Sequence, residues 1–494
     1  MDFNTPIFLG FFAAVALLTY CVPRQAKPYL LLVASYVFYM YKPENARLVA
    51  LLVSVTVVTW CAGVALGSHK LQNVWARRAF LWLALAVALG ILFFYKYFDF
   101  FGQLAADIGA IFGGSGKFAS LDLIAPLGLS YFTFQSLGYV IDVYQHKARP
   151  QLNLFKYALF VSFFACIFTG PIERAEHLMP QLESPRPFNY SRMAGGAFRM
   201  LWGYFKKMVL ADGIGQFVSA VYGGASTAAG PYLMAASLLF SYQIYLDFSG
   251  CCDIAIGGAR ILGIDLLENF NRPFAATSYT ELWNRWHMSL TNWFRDYIFT
   301  PLAFYNRGLP GVWGKLQGWF NVFIIFPISG LWHGASMGYV IWGVLNGLFL
   351  VVGKATAKKR RKLAKNNPLY RIKPVKNFIQ RVIVYLLFTF CIVFFAADLY
   401  GATAGTVFAG MFHGWNIGLS AFFAGVLDRG LTVRLIAVLI GGCALVELVE
   451  WRGPVAEWIR RQWAFIRWPL YYLLALAILF FAAFGQSAFI YQQY

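Results

Sequence analysis

Charge is scarce in this chain. Only 13% of its 494 residues are Asp, Glu, Lys or Arg, where a soluble domain carries about 25%. With 60% hydrophobic residues, a mostly polar exterior cannot be assembled, and lipid is the natural surrounding. Acids are the scarcer sign, 21 against 41 Lys and Arg, for a net charge of +20. In a soluble protein that excess points to nucleic acid. Here the bases sit in short segments between apolar runs, which argues against nucleic acid. They read instead as orientation by the positive-inside rule, with attraction for membrane lipid headgroups and anionic cytosolic cofactors.

Other absences narrow the chemistry. None of the seven cysteines forms a C-x-x-C pair, and nearly all lie in apolar runs, where Cys behaves as a small hydrophobe. Neither a disulfide framework nor a metal cluster is expected. There is no His-x-x-x-His pair and no carboxylate at ligand spacing, so no metal cofactor is expected either. No soluble appended domain, internal repeat or low-complexity linker interrupts the chain. The first apolar run, Ile7 to Val22, lacks a basic region before it and a small-residue cleavage site after it, and reads as a retained helix.

What is present is a series of apolar runs at roughly 7–23, 29–42, 46–67, 79–97, 124–144, 155–171, 195–222, 231–248, 317–332, 337–353, 378–398, 431–448 and 468–485. A span needs about 20 mostly apolar residues, and some of these are short or polar. The expectation is an all-α, polytopic membrane protein with ten to twelve spans plus re-entrant or interfacial helices. Lys206 and Lys207 interrupt the seventh run, which is expected to bend, tilt or lie partly in the interface. The basic stretch 354–376, without a single acid, is expected in the cytoplasm. Arg452–Arg467 then falls on the same side, and the last helix carries the C-terminal Phe489-Ile490-Tyr491 to the outer face. Residues 263–316 hold no 20-residue apolar span yet stay rich in aromatics, as suits helices in the interface or in a protein-lined cavity.

Ionisable groups within apolar segments are costly and are functional candidates by default. The sharpest is His333, in FIIFPISGLWHGASMGYVIWGVLNG, flanked by Gly330 and Gly334, which permit a bend or close backbone approach. Imidazole suits proton transfer near neutral pH. A hydrogen bond to a neighbouring helix is the competing reading. His287, in NRWHMSLTNWFRDYIF, would share a helical face with Trp283 and Thr291, or simply belong to an interfacial helix. Asp142, Asp247, Asp253, Glu173 and Arg174 are each read as a packing ion pair or as part of a polar path, which suits a substrate channel and a transporter equally.

Several stretches resemble the membrane-bound O-acyltransferase family, in the branch with the alginate O-acetyltransferase membrane subunit and the D-alanyl transfer protein of teichoic acid synthesis. They are PLGLSYFTFQSLGYVIDVY (126–144), FTGPIERAEHLMPQL (168–182), WGYFKKMVLAD (202–212), SYQIYLDFSGCCDIAIGGARILGI (241–264), NFNRPFAATSYTELWNRWHMSLTNWFRDYIFTPL (269–302) and GLWHGASMGYVIWGVLNG (330–347). The likeness implies one domain over 1–494, with a core at about 5–350 and C-terminal helices over 378–494. It implies a ring of helices around a central tunnel that brings a cytosolic thioester to an acceptor on the other side.

It also puts the family's catalytic histidine on His333 and its upstream histidine on His287. Trp283, Asn284, Arg285, Trp332, Asp247 and Asn346 become candidates for lining the tunnel or positioning substrate, and Tyr491, in the terminal FIYQQY, becomes a candidate acyl acceptor. The implied activity is polysaccharide O-acetylation in the bacterial inner membrane, with acetyl-CoA or another acyl thioester as donor. A periplasmic or secreted acyltransferase and the polysaccharide synthesis machinery are the implied partners. D-alanyl or lipid transfer, and a transporter or flippase, are the alternatives. The length of the C-terminal region favours acetylation over D-alanyl transfer.

Overall fold

A computed structural model describes all residues except 115, 306–310, 367–369, 371, 452, 454–457, 460, 483–489 and 491–494. The described residues are helical, with no strand among them. Among the described residues, five helices are long and apolar enough to cross a membrane: Pro43–Gly67, Val74–Lys96, Met337–Ala355, Lys373–Leu399 and Ala464–Phe481. A sixth is added if Leu419–Asp428 and Val433–Trp451, bent by 92° at their junction, count as one span.

That is fewer than the ten to twelve expected, and the reason is local. Apolar content continues through breaks that end helices. The run at 155–171 yields only Leu154–Ser162 before the turns leading to Gly170-Pro171. The run at 317–332 is divided between Gly311–Phe323 and Ile325–His333. Gly230–Ile261 is one continuous helix of 32 residues, and Gln243, Asp247 and Asp253 make it too polar to count as a span. Among the described residues of 263–316 there is no candidate span, as expected.

The chain divides into two compact units, Met1–Met200 with Ile254–Leu267, and Leu201–Asp253 with Glu268–Tyr494. In the first unit, Thr5 caps Pro6–Cys21 by accepting the Phe8 N–H at 3.3 Å, and Asn153 caps Leu154–Ser162. Such side-chain oxygens satisfy backbone donors that a helix start leaves over. Its core is aromatic: Phe38 and Phe168 stack with centroids 5.7 Å apart, and Phe3 packs on Phe168 at 5.0 Å. Small residues let helices approach where lipid supplies no hydrophobic drive. A Cβ on Gly196 would sit 2.7 Å from the Gly257 carbonyl, and one on Gly257 2.6 Å from that of Gly196. Glu173, which follows the Gly170-Pro171 break, is fully buried and accepts the Leu267 N–H at 2.6 Å and a contact from His177 Nδ1 at 2.7 Å. Asp142 and Arg174 also belong to this unit.

The second unit absorbs the two lysines without exposing them. Phe205–Ala211 is a π-helical turn inserted between Tyr190–Tyr204 and Asp212–Gly223. Both lysines are buried there. Lys206 pairs with Asp253 at 2.6 Å and with Glu450 at 3.4 Å, and donates to Ser249 at 3.0 Å. Lys207 pairs with Asp212 at 2.7 Å and with Asp247. The wider turn places consecutive lysines toward acids from different helices, and π-bulges of this kind are rare.

Candidate active site

The site is built in the second unit, beginning at Asn269. Its carbonyl accepts the Met288 N–H at 2.8 Å. Its side-chain Oδ1 accepts the Ser289 N–H at 3.1 Å and the Ser289 hydroxyl at 2.9 Å, and faces His287 Nδ1 at 3.1 Å. A backbone N–H can only donate, so the amide oxygen must point here, while the amide nitrogen faces Cys252 Sγ at 3.5 Å. The imidazole must therefore donate from Nδ1, and the neutral ring carries its lone pair on Nε2.

His287 is not on a continuous helix with Trp283 and Thr291, as their spacing of four residues on either side suggested. It sits in the left-handed region at φ 44°, ψ 50°, between the helices Tyr279–Trp283 and Met288–Phe294. That conformation costs roughly 1–2 kcal/mol for a residue with a Cβ, and the Asn269 contacts hold it there. It turns the ring onto Phe248, whose centroid lies 4.7 Å away. His287 is buried and outside the candidate spans, and burial pushes its protonation down to about 3, so it is neutral at physiological pH.

His333 ends the helix Ile325–His333 and is buried. Glycines set its position by letting two helices touch. A Cβ at Gly330 would collide with the Tyr339 carbonyl, and one at Gly343 with that of Phe326. The close approach of Ile325–His333 and Met337–Ala355 expected from the flanking glycines is thus observed. Trp342 lies edge-on to the His333 ring at 5.3 Å, and Phe395 packs on it at 5.8 Å.

The two imidazole centroids are 6.3 Å apart. Trp332 touches both rings, at 5.8 Å from His287 and 5.0 Å from His333. Trp283 packs on Trp342 at 5.8 Å and on Phe326 at 5.0 Å. Behind Trp342, Asn346 donates to the Trp342 carbonyl at 2.6 Å and accepts from the Tyr279 hydroxyl. Four of the sequence candidates, Trp283, Trp332, Asn346 and His287, are therefore gathered around His333.

The others stand in different roles. Arg285 pairs with Glu281 at 2.8 Å and donates to the Asn271 carbonyl at 3.1 Å. Asn284 is exposed. Asp247 is buried in its ion pair with Lys207 and accepts the Ile490 N–H at 3.2 Å. Tyr491 lies outside the described residues.

Asn269, Tyr279, Trp342, Phe248 and Phe395 were not singled out by sequence reasoning, although Asn269 opens the longest stretch of family likeness. The string Gly334-Ala335-Ser336-Met337-Gly338 has the Gly-x-Ser-x-Gly spacing of a nucleophile elbow, but that motif needs a strand-to-helix turn. Here Ser336 precedes the helix Met337–Ala355 without capping it through its side chain, and its hydroxyl donates to Asp398 at 2.7 Å. Among the described residues, no three His, Cys, Asp or Glu side chains come together as a metal site.

Comparison with known proteins matches the sequence to a family. The profile of MBOAT, the membrane-bound O-acyltransferase family, covers residues 147–397, which include both histidines. A probable alginate O-acetylase of Pseudomonas syringae pv. tomato is 32% identical over 403 residues, 81% of this chain and 75% of that protein. The peptidoglycan O-acetyltransferase of Helicobacter pylori is 34% identical over 393 residues, 73% of this chain and 72% of its own. The teichoic acid D-alanyltransferase of Bacillus subtilis is 28% identical over 236 residues, covering 46% of this chain and 59% of its own. A transporter, left open by the polar residues alone, is set aside: the chain belongs to the membrane-bound O-acyltransferase family.

Proposed function

We propose that this protein carries out the first half of an O-acetylation relay: it takes an acetyl group from a cytosolic thioester, acetyl-CoA, and passes it to a hydroxyl on the way to an extracytoplasmic polysaccharide. The bacterial inner membrane is the setting, and a secreted or periplasmic acyltransferase working with the polysaccharide synthesis machinery is the partner. Acetyl is favoured over D-alanyl because the O-acetylating relatives align over 73% and 81% of the chain, against 46% for the D-alanyltransferase.

The observation that carries this reading is the pair of buried imidazoles 6.3 Å apart within aromatic walls. The spacing lets one oxygen approach both rings at about 3 Å, the geometry wanted between a base and a reacting atom. His333 removes the acceptor hydroxyl's proton as the oxygen attacks the thioester carbonyl. The new C–O bond forms, the C–S bond breaks, and the departing thiolate takes up the proton from the His333 imidazolium. His287, neutral with its lone pair on Nε2, accepts a hydrogen bond from a water or from a second donor on the acceptor molecule, and so aims the hydroxyl whose proton His333 takes. The same tautomer makes that nitrogen unsuited to donating to an oxyanion, so orienting the acceptor is the role assigned to His287.

Tyr491 is proposed as a transient acyl carrier. The support is its neighbour: Ile490 is buried with its N–H on Asp247 in the second unit. Incubation of purified protein with radiolabelled acetyl-CoA, followed by mass spectrometry of the terminal peptide, tests both steps. The expected result is an acetyl ester on that peptide, absent in Tyr491→Phe. Label transfer that persists in Tyr491→Phe with no modified peptide removes the carrier. No thioester consumption by the wild-type protein removes the donor assignment.

A further inference from the structure

Acyl transfer leaves a cluster of cations in the first unit unused. Arg186 and Arg192 share one acid: Asp265 pairs with Arg186 at 2.9 Å and with Arg192 at 2.8 Å. Gly263, at φ 87°, lets the two segments meet. The Arg186 N–H donates to the Gly263 carbonyl at 3.1 Å, and a Cβ on Gly263 would sit 2.6 Å from the Arg186 carbonyl. Arg260 adds a third guanidinium. Its carbonyl accepts from Arg192 Nε at 3.1 Å, while its own Nε is buried without a hydrogen-bond partner among the described residues. Arg24, which is exposed, joins the group by donating to the Ser184 hydroxyl. Glu183, next to Ser184, is taken up by Lys156 at 3.5 Å.

One carboxylate beside four guanidiniums leaves a local excess of positive charge. Burial disfavours the charge on Arg192, and so do Arg186 and Arg260, with Asp265 opposing them. An anion with several acceptor oxygens relieves that repulsion and gives the stranded Arg260 N–H an acceptor. Guanidinium groups also match phosphate in bidentate geometry. The surroundings of the cluster are apolar and open. Phe188 and Tyr190 are exposed, and Phe188 lies edge-on to Tyr20 at 5.5 Å. Leu17, one turn before Tyr20 on Pro6–Cys21, is exposed as well. Lys27 Nζ sits over the Tyr20 ring at 5.3 Å. A free phosphate gains nothing from such neighbours, whereas an acyl chain does. The loop with Arg24 and Lys27 falls on the cytoplasmic side by the positive-inside rule, where anionic lipids make the leaflet surface negative.

We propose that Arg24, Arg186, Arg192 and Arg260 form a seat for the phosphate of an anionic phospholipid, whose acyl chains run along Leu17 and Phe188. The seat ties the segments at 24, 186 and 260–265 to one lipid molecule, independently of the acyl donor and acceptor.

The test titrates purified protein in a neutral detergent with phosphatidylglycerol or phosphatidylcholine and counts bound lipid by native mass spectrometry. Inorganic phosphate serves as the probe without acyl chains. Three variants are compared with the wild type. Arg24→Gln/Arg186→Gln empties half of the seat but keeps the Arg192–Asp265 pair. Phe188→Asn alters the apolar flank and touches no ion pair, so it carries the test if the first variant fails to fold. Lys70→Gln/Lys147→Gln removes two exposed cations on other loops of the same unit. The expected result is one phosphatidylglycerol retained by the wild type in preference to phosphatidylcholine. Retention weakens about tenfold in the arginine variant, a cation near the membrane surface contributing up to about fivefold. It weakens less in Phe188→Asn and holds in the lysine variant.

Equal retention of the two lipids, or unchanged retention in a folded arginine variant, overturns the proposal. So does an equal loss in the lysine variant, because diffuse charge then accounts for the binding. Inorganic phosphate bound as tightly as phosphatidylglycerol, with Phe188→Asn unchanged, assigns the arginines to a free anion and overturns the lipid as occupant.

Discussion

The second unit buries two polar clusters, and they are built on opposite plans. Around Lys206 and Lys207, full charges meet full charges: Asp212, Asp247, Asp253 and Glu450 close the lysines off with ion pairs of 2.6 to 3.4 Å or shorter. Around His287 and His333 stand one amide, tryptophans and phenylalanines. A closed ion cluster resists any change of protonation, because moving one proton leaves the remaining charges uncompensated in a low dielectric. Imidazoles gripped by neutral groups keep orientation without giving up basicity. The difference separates what holds helices together from what can move a proton, though both kinds of residue stand out equally as polar letters in apolar runs.

Substitution should pull the clusters apart experimentally. The largest effect is expected at His333→Ala, which removes the base and should lower acetyl transfer about 10²–10⁴-fold, while the protein still elutes as a monodisperse species with an unchanged melting temperature. Lys207→Met should do the reverse in kind. It strands Asp247 and Asp212, and breaking one partner of a buried pair costs about 3–5 kcal/mol, so the melting temperature in detergent should fall sharply and activity should vanish only with the folded fraction. The double replacement Lys207→Met with Asp247→Leu should recover stability relative to Lys207→Met alone. If instead Lys207→Met stays fully folded and inactive, the lysine belongs to the chemistry and the contrast between the clusters fails.

How far the sequence reached follows the same division. Helical membrane architecture was legible because composition alone forbids a polar exterior, while His333 stood out only as a candidate, since a histidine between two glycines in an apolar run serves a helix contact as readily as chemistry. The number of spans was not legible, since hydropathy does not register where a helix ends: Gly170-Pro171 and the break at Ile324 stop helices inside apolar text. The local conformation of His287 was misread for a related reason. A spacing of four suggested one helical face, whereas the pull of Asn269, eighteen positions earlier, fixes a left-handed residue between two short helices. No periodicity carries a contact of that range. Asp247 could be read as a packing ion pair or as part of a polar path, because an acid in an apolar run is always conspicuous; the fold supplies the ion pair, with Lys207.

A smaller and sharper test lies in the single amide. Asn269→Ala should leave the Ser289 N–H and the His287 ring without their shared acceptor, at about 1–3 kcal/mol for a buried group left unsatisfied, seen as a roughly tenfold lower rate if only the ring's aim is lost. Asn269→Asp is the more telling change, because it preserves the acceptor and adds a charge. In the wild type burial holds His287 neutral, with protonation pushed down to about 3, so it adds no acid limb to activity near pH 6. Its contribution to stability has a definite sign. The unfolded ring binds a proton below its ordinary value of 6.5 while the folded ring does not, so stability is full above that pH and declines as pH falls toward 3. A carboxylate at position 269 would favour the imidazolium and raise the folded value toward the unfolded one. The decline in melting temperature between pH 6.5 and 4 should then become shallower than in the wild type, while the acid limb of kcat moves to higher pH as His287 loses its lone pair. A mere loss of packing would shift neither curve along the pH axis, so an Asn269→Asp protein with slower turnover but wild-type pH profiles would show that Asn269 only fills space.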